Sequence, residues 1–136
     1  MIFNSYGIKF PFMDSNSGDF FEKTKSSDEE LRSNLIHLLL TKKGSRYFLP
    51  SFGTRLYEFI FEQSDNITFS TIESEIRESV EEFIPQLQIK NITIVDEEAD
   101  AINVSTDNQK YTAKVKVDYI NTSSAFGSSN FIILNI

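Results

Sequence analysis

Cysteine is absent from the 136 residues, and histidine occurs once. The first absence excludes disulfides, thiolate nucleophiles and cysteine-based metal centres. His37 has no Cys, Glu or Asp at ligand spacing on its own helix, so it reads as a structural or half-exposed side chain. No apolar run approaches the ~18 residues that a membrane span needs. No basic region precedes the first apolar stretch, so no signal peptide is expected, and manufacture and assembly in a cytoplasm follow. Positive charge is also scarce: the net charge of −7 argues against nucleic acid, whose phosphates would be repelled. No cofactor, metal or membrane partner is implied.

What is present is a core. The chain is 40% hydrophobic with thirteen Phe, enough for one domain with a radius of gyration of ~14 Å. Its organising stretch is Gly44–Glu62. Gly44-Ser45-Arg46 reads as a helix-closing turn, and Pro50-Ser51-Phe52-Gly53 as a rigid kink around one large apolar residue. Leu56, Phe59 and Ile60 then share one face of a short helix. Arg46 lies inside an apolar run, so its guanidinium must be paired or in water.

Upstream, Gly7–Phe12 is apolar but interrupted by Pro11, Asp14–Asp19 is turn chemistry, and Phe20 and Phe21 anchor the chain again. Residues 1–27 are either a strap over the core or an arm to a partner. Ser27 with Glu30 fits a capping box, and Leu31, Leu35, Leu38 and Leu39 form a buried stripe widened by Ile36 and Leu40, with Gly44 as the expected stop. Gln63–Asn66 reads as a loop. Ser70 with Glu73 repeats the capping box before a helix with Ile72, Ile76, Val80 and Phe83 inward. Glu73, Glu75, Glu78, Glu81 and Glu82 are assigned to its outer face, and Pro85 ends it.

From Gln86 the period changes to alternation. Leu87 and Ile89 are out of phase with Ile92 and Ile94, which predicts a bulge at Lys90-Asn91. Asp96–Asp100 is an acidic turn, Ile102 and Val104 a short strand, and Asp107-Asn108 a hairpin turn. Tyr111–Tyr119 reads as a half-buried strand with a basic outer face. A polar connection, Asn121–Asn130, leads to Phe131–Ile136, an apolar strand at the chain end. That strand either closes its own sheet or pairs with another protein by β-augmentation. The layout is α+β: an N-terminal arm, helices, then an antiparallel meander.

The run Asn34-Leu35 through Leu38-Leu39-Leu40-Thr41, then Gly44-Ser45-Arg46, Pro50, Phe52-Gly53, Leu56 and Phe61-Glu62, resembles the baseplate wedge and sheath-initiator family of contractile phage tails and type VI secretion baseplates. The resemblance reaches upstream to Gly7 and Phe10-Pro11-Phe12 and downstream to about Val95; later strands match in type and order. Relatives carry Glu-Pro-Arg where this chain has Ile84-Pro85-Gln86, so a wedge contact there would be apolar or amide-mediated.

The resemblance implies a non-enzymatic structural adaptor with a lysozyme-like fold, located in the tail baseplate of a virion. It implies wedge proteins, sheath subunits and the tail tube or hub as partners, with about six copies in a ring about the tail axis. Gly44, Arg46, Pro50, Phe52, Gly53, Phe61, Glu62, Pro85 and Gln86 would carry the family motif and wedge contact, with Arg46 meeting Glu62. Tyr111, Val115, Val117, Tyr119, Phe131, Ile132, Ile133 and Leu134 would form sheath-docking strands. The units would be 1–27 (arm), 28–120 (wedge domain) and 121–136 (linker and terminal strand).

The rival class is a glycoside hydrolase acting on peptidoglycan. It needs two carboxylates ~5–9.5 Å apart, one in an apolar pocket. Glu62 is the best acid and Asp65 the nearest second carboxylate, though the bland reading of Glu62 is an ion-pair partner for Arg46 or Arg55. A binding module unrelated to tails is a third class.

Overall fold

The computed structural model describes residues 5–16, 18–59, 66–96, 113–124, 127 and 129–135. Ile60, Phe61, Glu62, Asp65, the acidic turn beyond Asp96, the strand and hairpin turn expected over 102–108, Tyr111 and Ile136 lie outside them.

Helix α1 spans Ser27–Leu40. Its N-cap is Ser26, not Ser27: the Ser26 hydroxyl accepts from the Glu29 amide at 3.2 Å, and the Glu29 carboxylate accepts from the Lys25 amide at 2.9 Å. The capping pair is therefore one residue earlier than Ser27 and Glu30, while Asp28, Glu29 and Glu30 still occupy the first turn, where the helix dipole favours them. The helix also stops sooner than Gly44. Thr41 turns extended, and its amide (3.1 Å) and hydroxyl (2.6 Å) both donate to the His37 carbonyl. One residue thus satisfies a terminal acceptor twice and needs no glycine. Leu31, Leu35, Leu38 and Leu39 are buried as expected.

Helix α2, Leu56–Phe59, buries Leu56. Helix α3, Asn66–Phe83, begins a full turn before the expected box at Ser70 and Glu73. Ser70 lies inside it, its hydroxyl donating back to the Ile67 carbonyl at 2.9 Å, as does that of Thr71 at 2.8 Å. Ile72, Ile76 and Val80 are buried, with Phe83 half-buried.

Strands β3 (Leu87–Asp96), β4 (Ala113–Asn121) and β5 (Ser129–Asn135) form an antiparallel sheet in the order β3-β4-β5. The β3–β4 register slips between Ile89 and Asn91, the bulge expected at Lys90-Asn91. Arg77 on α3 donates to the Ile89 carbonyl at 3.3 Å, giving that carbonyl beside the slip a charged partner. Val115, Val117 and Tyr119 on β4 and Ile132 and Leu134 on β5 join the helices' apolar residues in one core. The Asn121 side-chain amide donates to Asp28 at 2.6 Å, fastening the sheet to the start of α1.

The terminal strand thus closes its own sheet, Phe131 opposite Asp118 through Asn135 opposite Lys114. Residues 122–128 link β4 to β5, a shorter connection than the expected Asn121–Asn130. The N-terminal residues also fold back. Strands β1 (Gly7–Ile8) and β2 (Lys23–Thr24) pair antiparallel, Thr24 is fully buried, and the Phe10 amide donates to Ser33 of α1. These described residues thus hold Thr24 and Phe10 against the helical side, while Phe20 is 92% exposed.

The two adjacent serines separate the capping alternatives. Ser26→Ala should destabilise the protein by about 1 kcal/mol in urea unfolding, and Ser27→Ala should be near neutral.

Candidate functional site

The loop between α1 and α2 is closed by its own backbone. The Thr54 amide donates to the Thr41 carbonyl at 2.9 Å, and the Lys43 amide returns a bond to the Thr54 carbonyl at 3.0 Å. The buried Thr54 hydroxyl donates to the Leu39 carbonyl at 2.8 Å. This crossing explains Gly53: a Cβ there would lie 2.4 Å from the Thr41 carbonyl oxygen, and φ is +118°. Gly44, at φ +84°, turns in open space. Its amide donates to the Pro50 carbonyl at 2.8 Å, and that of Phe52 to the Leu49 carbonyl at 3.0 Å.

Phe52, half-buried, packs edge-on to Phe83 at 5.1 Å. Arg46 is exposed, with its guanidinium 4.6 Å from the centroid of the Phe52 ring. It is therefore solvated and also in a cation–π contact. His37 lies among the rings of Phe10 (5.2 Å, stacked), Phe12 (6.5 Å) and Phe52 (5.6 Å). Burial, and secondarily the Arg46 charge, hold its pKa below the ordinary 6.5.

The sequence pattern missed Glu75. It is buried, not on the solvated face, and lies between Lys43 at 3.7 Å and Arg55 at 3.5 Å. Arg55 therefore has Glu75 as a partner. The signal was available: Glu75 follows Ile72 by three residues, on the inward arc. Ser79, also on that arc, donates to the Gly53 carbonyl at 3.3 Å. Together these contacts tie the loop to α3.

The pattern also missed the loop's tip. Tyr47, Phe48 and Leu49 are 94%, 79% and 52% exposed. Leu49 adopts φ +58°, a left-handed conformation uncommon for a side chain of its size. Of the other motif residues, Pro50 is exposed beside this tip, and Pro85 and Gln86 are exposed where α3 turns into β3. The Gln86 carbonyl accepts from the Thr122 amide at 2.9 Å and hydroxyl at 2.8 Å. Phe61 and Glu62 lie outside the described residues, and so does the expected Arg46–Glu62 contact.

The residues expected to meet sheath subunits divide by face. Val115, Val117, Tyr119, Ile132 and Leu134 point into the core, so their side chains are not a docking surface. Burial raises the Tyr119 hydroxyl pKa above its ordinary 10.0, with Arg32 lowering it in part. Phe131 and Ile133, each 55% exposed, face outward. β5 is an edge strand, paired only with β4 among the described residues.

Acid–base chemistry has no such support among the described residues. One cleft, lined by α3 and β3 residues, includes the carboxylate of Glu73, which pairs with Arg77 at 2.8 Å. Another, beside the start of α1, includes Glu30. Neither brings two carboxylates together among those lining residues. Glu62 and Asp65 are not described. No group of described residues has the makings of a metal centre, and no described helix is long and apolar enough to cross a membrane.

The family model described as baseplate wedge protein gp25 matches residues 25–124. Baseplate wedge protein gp25 of Enterobacteria phage T4 is 29% identical over 65 residues, covering 48% of this chain and 49% of that protein. The chain thus aligns with about half the length of this relative. A Geobacter sulfurreducens protein described as a tail lysozyme superimposes with a TM-score of 0.65 at 19% identity, covering 82% of this chain and 90% of that one. A chain of the anti-feeding prophage baseplate, seen by cryo-electron microscopy, gives 0.67 at 20% identity, covering 87% and 86%. At these identities the two structures establish a shared fold.

The glycines rank by what a methyl group would meet. Gly53→Ala should cost about 2–4 kcal/mol from clash and strain together, and Gly44→Ala about 1–2 kcal/mol from backbone conformation alone; urea titrations of both variants check the order. For His37 the sign follows from its lowered folded-state pKa. The unfolded chain takes up the proton first, so this contribution is present above the unfolded value and lost as the pH falls below it. Between about pH 7.5 and 5.5, thermal unfolding should show a smaller loss of stability for His37→Phe than for the parent.

Proposed function

Because the chain belongs to the baseplate wedge protein gp25 family, we propose that it is a structural adaptor of a contractile-tail baseplate, joining the wedge core to the first ring of sheath subunits. The observation that carries the sheath half of this reading is the outer edge of β5. A sheet edge offers unpaired amides and carbonyls to an incoming strand, and side-chain faces beside it set the register. Among the described residues the sheet has two edges, and they differ. β3 is interrupted by the register slip at Ile89 and Asn91 and carries Lys90, both devices that discourage pairing. The β4–β5 register runs unbroken from Lys114 opposite Asn135 to Ile120 opposite Ser129, and β5 carries no charged residue. The docking elements are thus the β5 backbone with Phe131 and Ile133, while Val115, Val117, Tyr119, Ile132 and Leu134 hold the edge in place from below.

On this reading Arg46, Pro50, Phe52 and Gly53 shape the loop facing the wedge, and Pro85 and Gln86 form a second, uncharged contact. Copies arranged about the tail axis turn many weak strand pairings into one strong joint. The protein acts in the tail baseplate of a virion, after assembly in the host cytoplasm.

Removing 131–136 is a poor test, because Ile132 and Leu134 belong to the core. The discriminating variant changes only the outer face and matches the charges opposite: Phe131→Lys, across from Asp118, with Ile133→Glu, across from Lys116. It should keep the parent's melting temperature to within a few degrees while sheath polymerisation on assembled baseplates falls by about tenfold or more, scored by electron microscopy. Normal sheath growth on the double variant would refute the docking assignment.

A further inference from the structure

We infer that Tyr47-Phe48-Leu49 is an insertion element that seats in an apolar socket rimmed by carboxylates on a neighbouring protein of the assembly. The inference takes from the proposed function only that such a protein neighbour exists, and it is independent of the β5 edge.

The first observation is exposure on a turn closed at its base. Tyr47 and Phe48 are among the most exposed large side chains described, and their rings pack edge-to-face at 5.2 Å. Their turn is closed at its base by Gly44 to Pro50 and by Phe52 to Leu49, and is anchored further in by the Thr54 bonds to Thr41 and Leu39. A clamped loop has already lost the freedom that binding would otherwise remove. Leu49, at φ +58°, holds a conformation that asparagine or glycine would adopt more readily. An apolar residue there, with about half of its surface in water, extends the apolar tip.

The second observation is charge segregation. In a chain of net charge −7, residues 41–57 contain Lys42, Lys43, Arg46 and Arg55 and no Asp or Glu. Glu75 takes Lys43 and Arg55. Lys42 and Arg46, both on the N-terminal side of Tyr47, are exposed and without a carboxylate partner among the described residues, the Arg46 guanidinium lying over the Phe52 ring. Aromatic residues with an adjacent arginine are the side chains that dominate binding energy at protein interfaces, and the basic flank sets the partner's rim as acidic. An anionic lipid surface is the less favoured match. It would repel the rest of this acidic chain, and a fluid surface gains nothing from a turn held in one conformation.

The test uses the whole chain and, as probes, wedge subunits of the same tail, purified one at a time, with phosphatidylglycerol vesicles as a separate arm. The variants are Tyr47→Ser with Phe48→Ser, Leu49→Asn, and Lys42→Glu with Arg46→Glu; all should fold, with Leu49→Asn melting at or above the parent and the charge-reversal pair slightly below it for the loss of Arg46 over Phe52. The expected result is that the parent binds one wedge subunit, that the double serine variant loses about 30-fold or more in affinity, and that Leu49→Asn loses less. The charge-reversal variant should associate more slowly, and the parent's affinity should fall as salt rises from about 0.05 to 0.5 M. Equal binding by parent and double serine variant overturns the inference while leaving the baseplate reading intact. Parent affinity insensitive to salt overturns the acidic rim. Failure of the parent to bind any wedge subunit overturns both readings, and tip-dependent binding to vesicles alone replaces the protein partner with a lipid one.

Discussion

Everything on the helical side of the molecule depends on how the end of α1 is satisfied. A helix terminus leaves carbonyls without donors, and here they are met by chain that has gone away and returned. Thr54 supplies its amide to Thr41 and its hydroxyl to Leu39. That requires the backbone at Gly53 to pass closer to Thr41 than any side chain permits. The intervening residues must then make a tight excursion, and their tip has nowhere to fold but outward. The exposed aromatic pair is a consequence of how the helix stops.

Glu75 makes the same point in electrostatic terms. Placing a carboxylate under the loop costs solvation, which Lys43 and Arg55 offset only in part, since Oε1 has no hydrogen bond among the described residues. Such arrangements are poor sources of net stability. What this one supplies is registry: the loop can sit over α3 in one place, where both cations reach the acid and Ser79 reaches Gly53. Two of the four cations of residues 41–57 thereby pair with this buried acid, while Lys42 and Arg46 stay exposed, Arg46 over the Phe52 ring.

Much of this was legible from residue order, and the exceptions have physical causes. The inward stripes of α1 and α3 and the slip at Lys90-Asn91 follow from periodicity, a local property. Ser26 and Ser27 sit before three consecutive acids, so two capping boxes satisfy the same rule and only geometry chooses between them. Ser70 looked like a helix start because serine caps well, but a hydroxyl can also bond back within a helix. Glu75 reads as solvated by its charge, yet its place three residues after Ile72 puts it on the inward arc. Tyr47-Phe48-Leu49 reads as core by composition, and nothing in composition tells a buried apolar run from one pushed into water by a closed turn. The pairing of β5 is non-local, so its run of consecutive apolar residues fits self-closure and lending equally well.

That closure changes the energetics of lending more than the possibility of it. A tethered, unpaired strand would have to order itself on its partner and lose its chain entropy at that moment. β5 has already done so against β4, burying Ile132 and Leu134 in the process. The outer edge is thus presented by an ordered strand, and an incoming strand need order only itself. An edge fixed in this way is also a hazard in the free protein, since it will accept any extended chain. The exposed Phe131 and Ile133 restrict that choice, because a pairing strand must offer apolar neighbours on the outer face to match them. On the proposed docking role, specificity would lie in the face and affinity in the backbone, and repetition around an axis would give the joint its strength.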